Sequence, residues 1–247
     1  KIIILIIAAA FFSAKLYIVT IIFFFTPIIS TIVGKILSPF NFQKNGAQDP
    51  FGFFHYNLWI ALSLIIASIP LDNYFLLKFA GSQQTGLYAA PFKILTFVYQ
   101  FAGNFTRVLA PRFSSFDTNE KVKVFAFKSF GIVALVAFTL TLLAIFAAPV
   151  NSLVFGESFT GSAEIFRILT IGFIFFFSTT VPSAIILYYF GKSQVVFTIT
   201  LIRVIVFILL LYFLVPAMLA KGAAIAYVIA EASTFLLLSF YSFWKLK

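Results

Sequence analysis

An all-α integral membrane protein, folded as a polytopic bundle of transmembrane helices, is the fold class this sequence predicts. Three observations predict it. The chain is 62% hydrophobic and only 10% charged, where a soluble domain is about half apolar and a quarter charged. Its mean hydropathy is +1.11. Runs of the roughly twenty apolar residues needed to cross about 30 Å of hydrocarbon recur along the chain. No series of short segments with strict alternation marks a membrane barrel.

In chain order, residues 2–14 are apolar but short and read as the end of a span. Lys1 with "IIILIIAAAFFSA" has the layout of a secretory signal. A second apolar run follows at once, however, and residue 1 is not Met, so the expectation is a segment of a larger protein. Residues 16–37 form a span that contains Pro27. Residues 38–51, "SPFNFQKNGAQDPF", are a polar loop and the clearest boundary. Spans follow at about 53–71, 87–110, 129–149, 163–189, 194–215 and 222–244. The polar stretch that opens at Ser82 reads as a loop. Pro111, Pro149, Gly156, Gly191, Pro216 and Gly222 read as helix stops.

Charge orients the spans. One set of alternate loops holds Lys35, Lys44, Arg112, Lys121, Lys123, Lys128, Lys192, Lys245 and Lys247; the opposite set holds Lys15, Lys78 and Lys221. An excess of Lys and Arg marks cytoplasmic loops. The first set is therefore expected inside, with the C-terminus, and Trp244 anchors the inner boundary. The same rule explains the net charge of +10 without nucleic acid.

Catalytic chemistry has little to work with. There is no Cys and one His, which excludes disulfides and thiolate metal sites. His55 falls at an inner boundary. No phosphate-binding glycine loop, zinc motif or usefully spaced carboxylate pair is present. No catalytic residue, metal or cofactor is expected, and the chain does not read as an enzyme.

Polar residues inside the spans need a reason, since a charge at the bilayer centre costs at least about 2.5 kcal/mol. Lys93, Gln100 and Arg107 are spaced by seven, almost two helical turns, and stack on one face. Thr96, Gly103 and Asn104 lie on or beside that stripe, opposite an apolar face. Such a stripe fits the wall of a watery cavity that attracts an anion. Lys93 and Arg107 are also about 21 Å apart along the axis, so each can snorkel to its own interface; Gln100, between them, is left unexplained by snorkelling. Arg203 and Glu231 lie near the middle of successive spans and differ in depth by about 6 Å. An ion pair is expected there, structural or gating. Asp72 and Asn73 read as a helix end at the outer interface. Glu164 and Arg167 read as an i,i+3 pair. In "FSTTVPS", hydroxyls of Ser178, Thr179, Thr180 and Ser183 are placed to satisfy backbone groups freed by Pro182.

Four stretches resemble, in order, the bacterial polysaccharide export proteins, the lipid-linked oligosaccharide flippases of the multidrug/oligosaccharidyl-lipid/polysaccharide exporter superfamily. They are "PLDNYFLLKFAGSQQTGLYAAPFKI", "LAPRFSSF", "LVFGESFTGSAEIFRIL" and "LVPAMLAKGAAIAYVIAE". The resemblance implies two helical lobes around a cationic cavity, with substrate crossing by alternating access. On that pattern residues 1–38 end an N-terminal lobe, 39–51 form a cytoplasmic inter-lobe loop, and 52–247 make a six-helix C-terminal lobe in a bacterial inner membrane. It also implies a lipid-linked oligosaccharide diphosphate as ligand, with Lys93, Arg107 and Arg203 as candidate contacts. Membrane lipids and polysaccharide polymerase machinery are the further partners it implies. Asp72 matches a motif position. A multidrug/cation antiporter of the same superfamily would favour intramembrane carboxylates, and cations outnumber them here. A membrane glycosyltransferase or O-antigen polymerase would carry a large outer loop, which this sequence lacks.

Overall fold

The computed structural model describes residues 25, 31–33 and 49–247. The N-terminal apolar runs and the loop cations Lys15, Lys35 and Lys44 lie outside the described residues. The chain divides into two compact units, Lys1–Gln48 and Asp49–Lys247, and the fold below is that of the second.

Asp49 caps the first helix. Its Oδ1 accepts the Gly52 N–H at 2.8 Å, and Pro50 occupies the first turn, where its missing N–H costs nothing. The helices are α1 (Pro50–Ala67), α2 (Leu71–Leu95), α3 (Phe97–Ser114), α4 (Asn119–Ile145), α5 (Ala147–Phe155), α6 (Ala163–Ser178), α7 (Thr180–Ala184) and α8 (Ser193–Lys245). A 3₁₀ turn, Glu157–Ser162, and a π turn, Ile185–Tyr189, join them. The described residues contain no strand.

Two helical runs are too long for one crossing. Phe51–Ser114 and Ser193–Lys245 hold 64 and 53 residues, roughly 95 and 80 Å of straight helix. Each folds back at a single residue. Gly81 has φ 80° and ψ 174°, and Leu219 has φ 53° and ψ −133°. Six long apolar helical segments result among the described residues, at about 50–80, 82–114, 119–145, 163–189, 193–218 and 220–245. The protein is an all-α multi-pass membrane protein. The span from Ala163 is the central one, since its most apolar stretch is 61% buried against 17–22% for the others. Around it Leu95, Val98, Phe113, Phe166, Phe173, Leu211 and Tyr227 close the core.

The ends sort by contact. Tyr189 donates to Asn119 Oδ1 at 2.8 Å, and Asn119 Nδ2 donates to the Leu246 carbonyl at 3.3 Å. His55 and Gln194 approach at 2.7 Å. The cation-rich loops and the C-terminus therefore share one end. At the other, Lys221 pairs with Glu164 at 2.6 Å.

Several sequence expectations are corrected. The stretch after Gly81, "SQQTG", is helical, so the only break there is Gly81 itself. The helices overrun the apolar runs at both ends because hydropathy reads only the part in hydrocarbon. Gly156 and Gly191 do stop helices, each at positive φ. Pro111 and Pro216 lie inside helices, Pro149 sits in the first turn of α5, and Gly222 is inside α8. Pro is tolerated near a helix start, and the turn near Pro216 is made by Leu219. Glu164 does not pair with Arg167: Lys221 reaches Glu164 first, and Arg167 Nε donates to the Ala144 carbonyl at 3.4 Å, where α4 ends. The hydroxyls of Ser178, Thr179 and Thr180 donate to the carbonyls of Ile174, Phe176 and Phe177, not to the Ser178 carbonyl that Pro182 leaves without its helical donor.

Candidate functional site

Leu95, Val98, Ala102, Phe105, Leu109 and Phe113 recur at helical spacing and are buried in the core. That burial fixes the rotation of α2's end and of α3. The other side of the same helix then carries Lys93, Gln100, Asn104 and Arg107, all exposed. Arg107 Nη1 donates to Asn104 Oδ1 at 3.4 Å. Lys93 and Gln100 have no partner among the described residues. The helix continues across Thr96, whose Oγ1 donates to the Lys93 carbonyl at 2.6 Å and whose backbone stays helical. The stripe thus stays in register on one outer face of the unit.

Beside it lies a half-open cavity of about 670 Å³. Gly103 and Thr106, next to the stripe on α3, border it, together with Asp72, Tyr99, Thr179 and Arg203. Lys93, Gln100, Asn104 and Arg107 do not line it. The sequence-predicted set is therefore divided: four residues share the outer face, and Arg203 faces the cavity.

Arg203 and Glu231 do meet. Nε donates to Oε1 at 2.8 Å and Nη2 lies 2.5 Å from the same oxygen. The side chains are 15% and 2% exposed, and the guanidinium lies 5.9 Å from the centre of the Phe207 ring. The attraction between two such charges held largely out of water offsets their lost hydration only when the contact is this direct.

Asp72 is placed differently from the sequence expectation. It sits in the first turn of α2, after a break at Ser68–Pro70, and is 7% exposed. The helix continues eight residues beyond it, about 12 Å at helical rise, so Asp72 is not at the span's end. Its Oδ1 accepts the Asn73 N–H, and its Oδ2 accepts the Tyr88 hydroxyl at 2.8 Å. Tyr88, fully buried, was not singled out from sequence as a site residue. The available signal was that Asp72 and "GLY", residues 86–88, belong to one motif; the structure bonds them across the Gly81 turn. Tyr99 and Tyr227 were also missed. Their hydroxyls lie 3.1 Å apart, and with Phe92 and Phe176 they form an aromatic wall of the cavity, backed by buried Phe173. His55 accepts from Trp59 Nε1 at 3.0 Å within α1, and its ring lies 2.7 Å from Gln194 Nε2 at the start of α8, a boundary contact between the two helices.

A model of the family described as "Polysaccharide biosynthesis protein" matches residues 3–164, about two thirds of the chain and part of both units. The chain belongs to this family. A Shigella flexneri member of the curated proteins, named "Putative O-antigen transporter", is 25% identical over 178 residues, which is 70% of this chain and 42% of that protein. The chain thus spans less than half the length of that relative. No solved structure matches it. Family membership, the membrane-spanning helices and the polysaccharide/O-antigen transport relative agree with the expectation drawn from the ordered motifs.

Proposed function

We propose that the chain is one lobe of a transporter that carries a lipid-linked oligosaccharide across the bacterial inner membrane by alternating access, with the C-terminus cytoplasmic. The observation that carries the reading is the exposed stripe Lys93, Gln100, Asn104 and Arg107 on an otherwise apolar span whose back is packed in the core. An unpaired cation on a lipid-facing surface is costly. On a surface facing a second lobe across a watery path, it is hydrated and attracts an anion. A diphosphate between lipid and sugar is the anion that polysaccharide precursors provide, and charge-assisted contacts to phosphate oxygens are strong. Membrane lipids and polymerase machinery are the neighbours this role places around it. Arg203, paired with Glu231, serves the lobe's internal packing in this reading. In this reading residues 39–51 connect the lobe at 52–247 to a preceding one.

The test uses the full-length gene in a strain lacking its own flippase, with surface polysaccharide and membrane protein both measured. Lys93→Gln/Arg107→Gln is expected to abolish export at normal protein level. Lys93→Arg retains part of it, and lipid-exposed Leu209→Ala leaves it unchanged. A cysteine at position 192 is expected to react only from the cytoplasm. Full export from the double variant refutes the substrate role; labelling of 192 from outside refutes the orientation.

A further inference from the structure

Where α3 meets α4, three cations converge on one cleft. Arg112 comes from the last turn of α3, and Lys121 and Lys128 from α4, two turns apart on one face. The cleft is about 510 Å³, and its floor is aromatic: the Phe116 and Phe125 rings lie 5.5 Å apart. One carboxylate, Glu120, shares it, and no ion pair joins it to any of the three cations among the described residues. The cations are exposed, and none of them forms an ion pair among the described residues.

The same face of α4 continues into hydrocarbon. Ile132, Leu135 and Leu142 follow Lys128 at helical spacing and are all exposed. From Ile132 to Leu142 is about 15 Å at helical rise, which is one leaflet's share of a hydrocarbon core of about 30 Å. A cationic cleft at the interface, continuing along the same helix into an exposed apolar face about one leaflet long, is complementary to a molecule with an anionic head and acyl tails. Basic pockets between transmembrane helices are suited to anionic headgroups.

We infer that this cleft binds an anionic phospholipid, with the phosphate held by Arg112, Lys121 and Lys128 and the acyl chains lying along Ile132, Leu135 and Leu142. The inference uses the membrane-spanning fold and not the transport reading, so lipid binding and export can fail separately.

The experiment titrates phosphatidylglycerol into delipidated full-length protein in nonionic detergent and counts bound lipids by native mass spectrometry. Wild type is expected to hold phosphatidylglycerol in preference to phosphatidylcholine. Each cation removed weakens binding about fivefold, so Arg112→Gln/Lys121→Gln/Lys128→Gln loses about a hundredfold. Glu120→Gln strengthens it about fivefold, a gain that misfolding cannot mimic. Lys123→Gln, on the same helix but outside the cleft, binds as wild type. Equal retention of phosphatidylcholine, or undiminished phosphatidylglycerol binding by the triple variant, overturns the site. Displacement of the lipid by millimolar inorganic phosphate overturns the role of the apolar face and leaves a free-anion site instead.

Discussion

Replacing Arg203 by Met strands the Glu231 carboxylate in a site where it is 2% exposed. Its Oε1 then loses both guanidinium contacts, at 2.8 and 2.5 Å. Breaking one side of a buried pair costs about 3–5 kcal/mol. The low end applies here, because Arg203 borders the cavity and water can enter from it. Glu231→Gln strands the guanidinium instead and is expected to cost about 3 kcal/mol on the same grounds. The double variant, Arg203→Met/Glu231→Gln, buries no net charge and keeps a side chain of similar size at each position. Its expected loss is no larger than that of either single change, which gives a coupling energy of about 3 kcal/mol. Contacting residues couple by about 0.5–3 kcal/mol, while distant ones add to within about 0.5 kcal/mol. The assay is thermal unfolding of purified full-length protein in detergent, for wild type, both singles and the double. Additive losses would refute the reasoning, since they would mean that the two charges do not share one site.

Two further outcomes follow from the turns. Gly222→Ala is expected to lower stability by about 1–3 kcal/mol, because a Cβ there would strike the Leu214 carbonyl across the Leu219 turn; thermal unfolding checks it, and an unchanged midpoint would show that the two spans are not so close. Tyr88→Phe removes the hydroxyl from Asp72 and leaves one carboxylate oxygen unpaired, a loss of about 1–3 kcal/mol. Asp72→Asn in that background should recover part of it, and no recovery would count against the contact.

The fold class was legible because hydrocarbon thickness sets a length that composition reveals directly. Loop charge likewise grouped the ends that Asn119, Tyr189 and Leu246 later tie together. What hydropathy could not reveal was the backbone. Nothing about Leu219 announces a turn, since positive φ in a branched apolar residue is unfavourable on its own. It is held there by the close packing of Ala220, Gly222, Ala223, Ala224 and Ala226 beyond it, which are almost fully buried. Small residues let helix backbones approach in a membrane, which gives the Gly-Ala-Ala-x-Ala motif a packing role. The outer-face stripe was legible from spacing alone, because one face of a helix has a fixed period. The Asp72–Tyr88 contact was not, because it depends on Gly81 reversing the chain between them. Glu164 was assigned to the wrong partner for a similar reason: an i,i+3 neighbour is always available on paper, and Lys221 reaches it only through the tertiary fold.

A hinge of one residue has no slack. At Gly81 and at Leu219 the paired spans are joined so tightly that neither member can slide along its axis without dragging the other. Mechanically the lobe is thus closer to a set of stiff paddles than to a bundle of independent rods. Compliance resides in the interruptions within the helices, at Ser68–Pro70, at Phe146, at Thr179 and in the π turn at Ile185–Tyr189. A strut inserted at either one-residue turn would jam the assembly, whereas a bend of the chain at Pro70 would swing residues 71–80 and the helix that returns after Gly81 together.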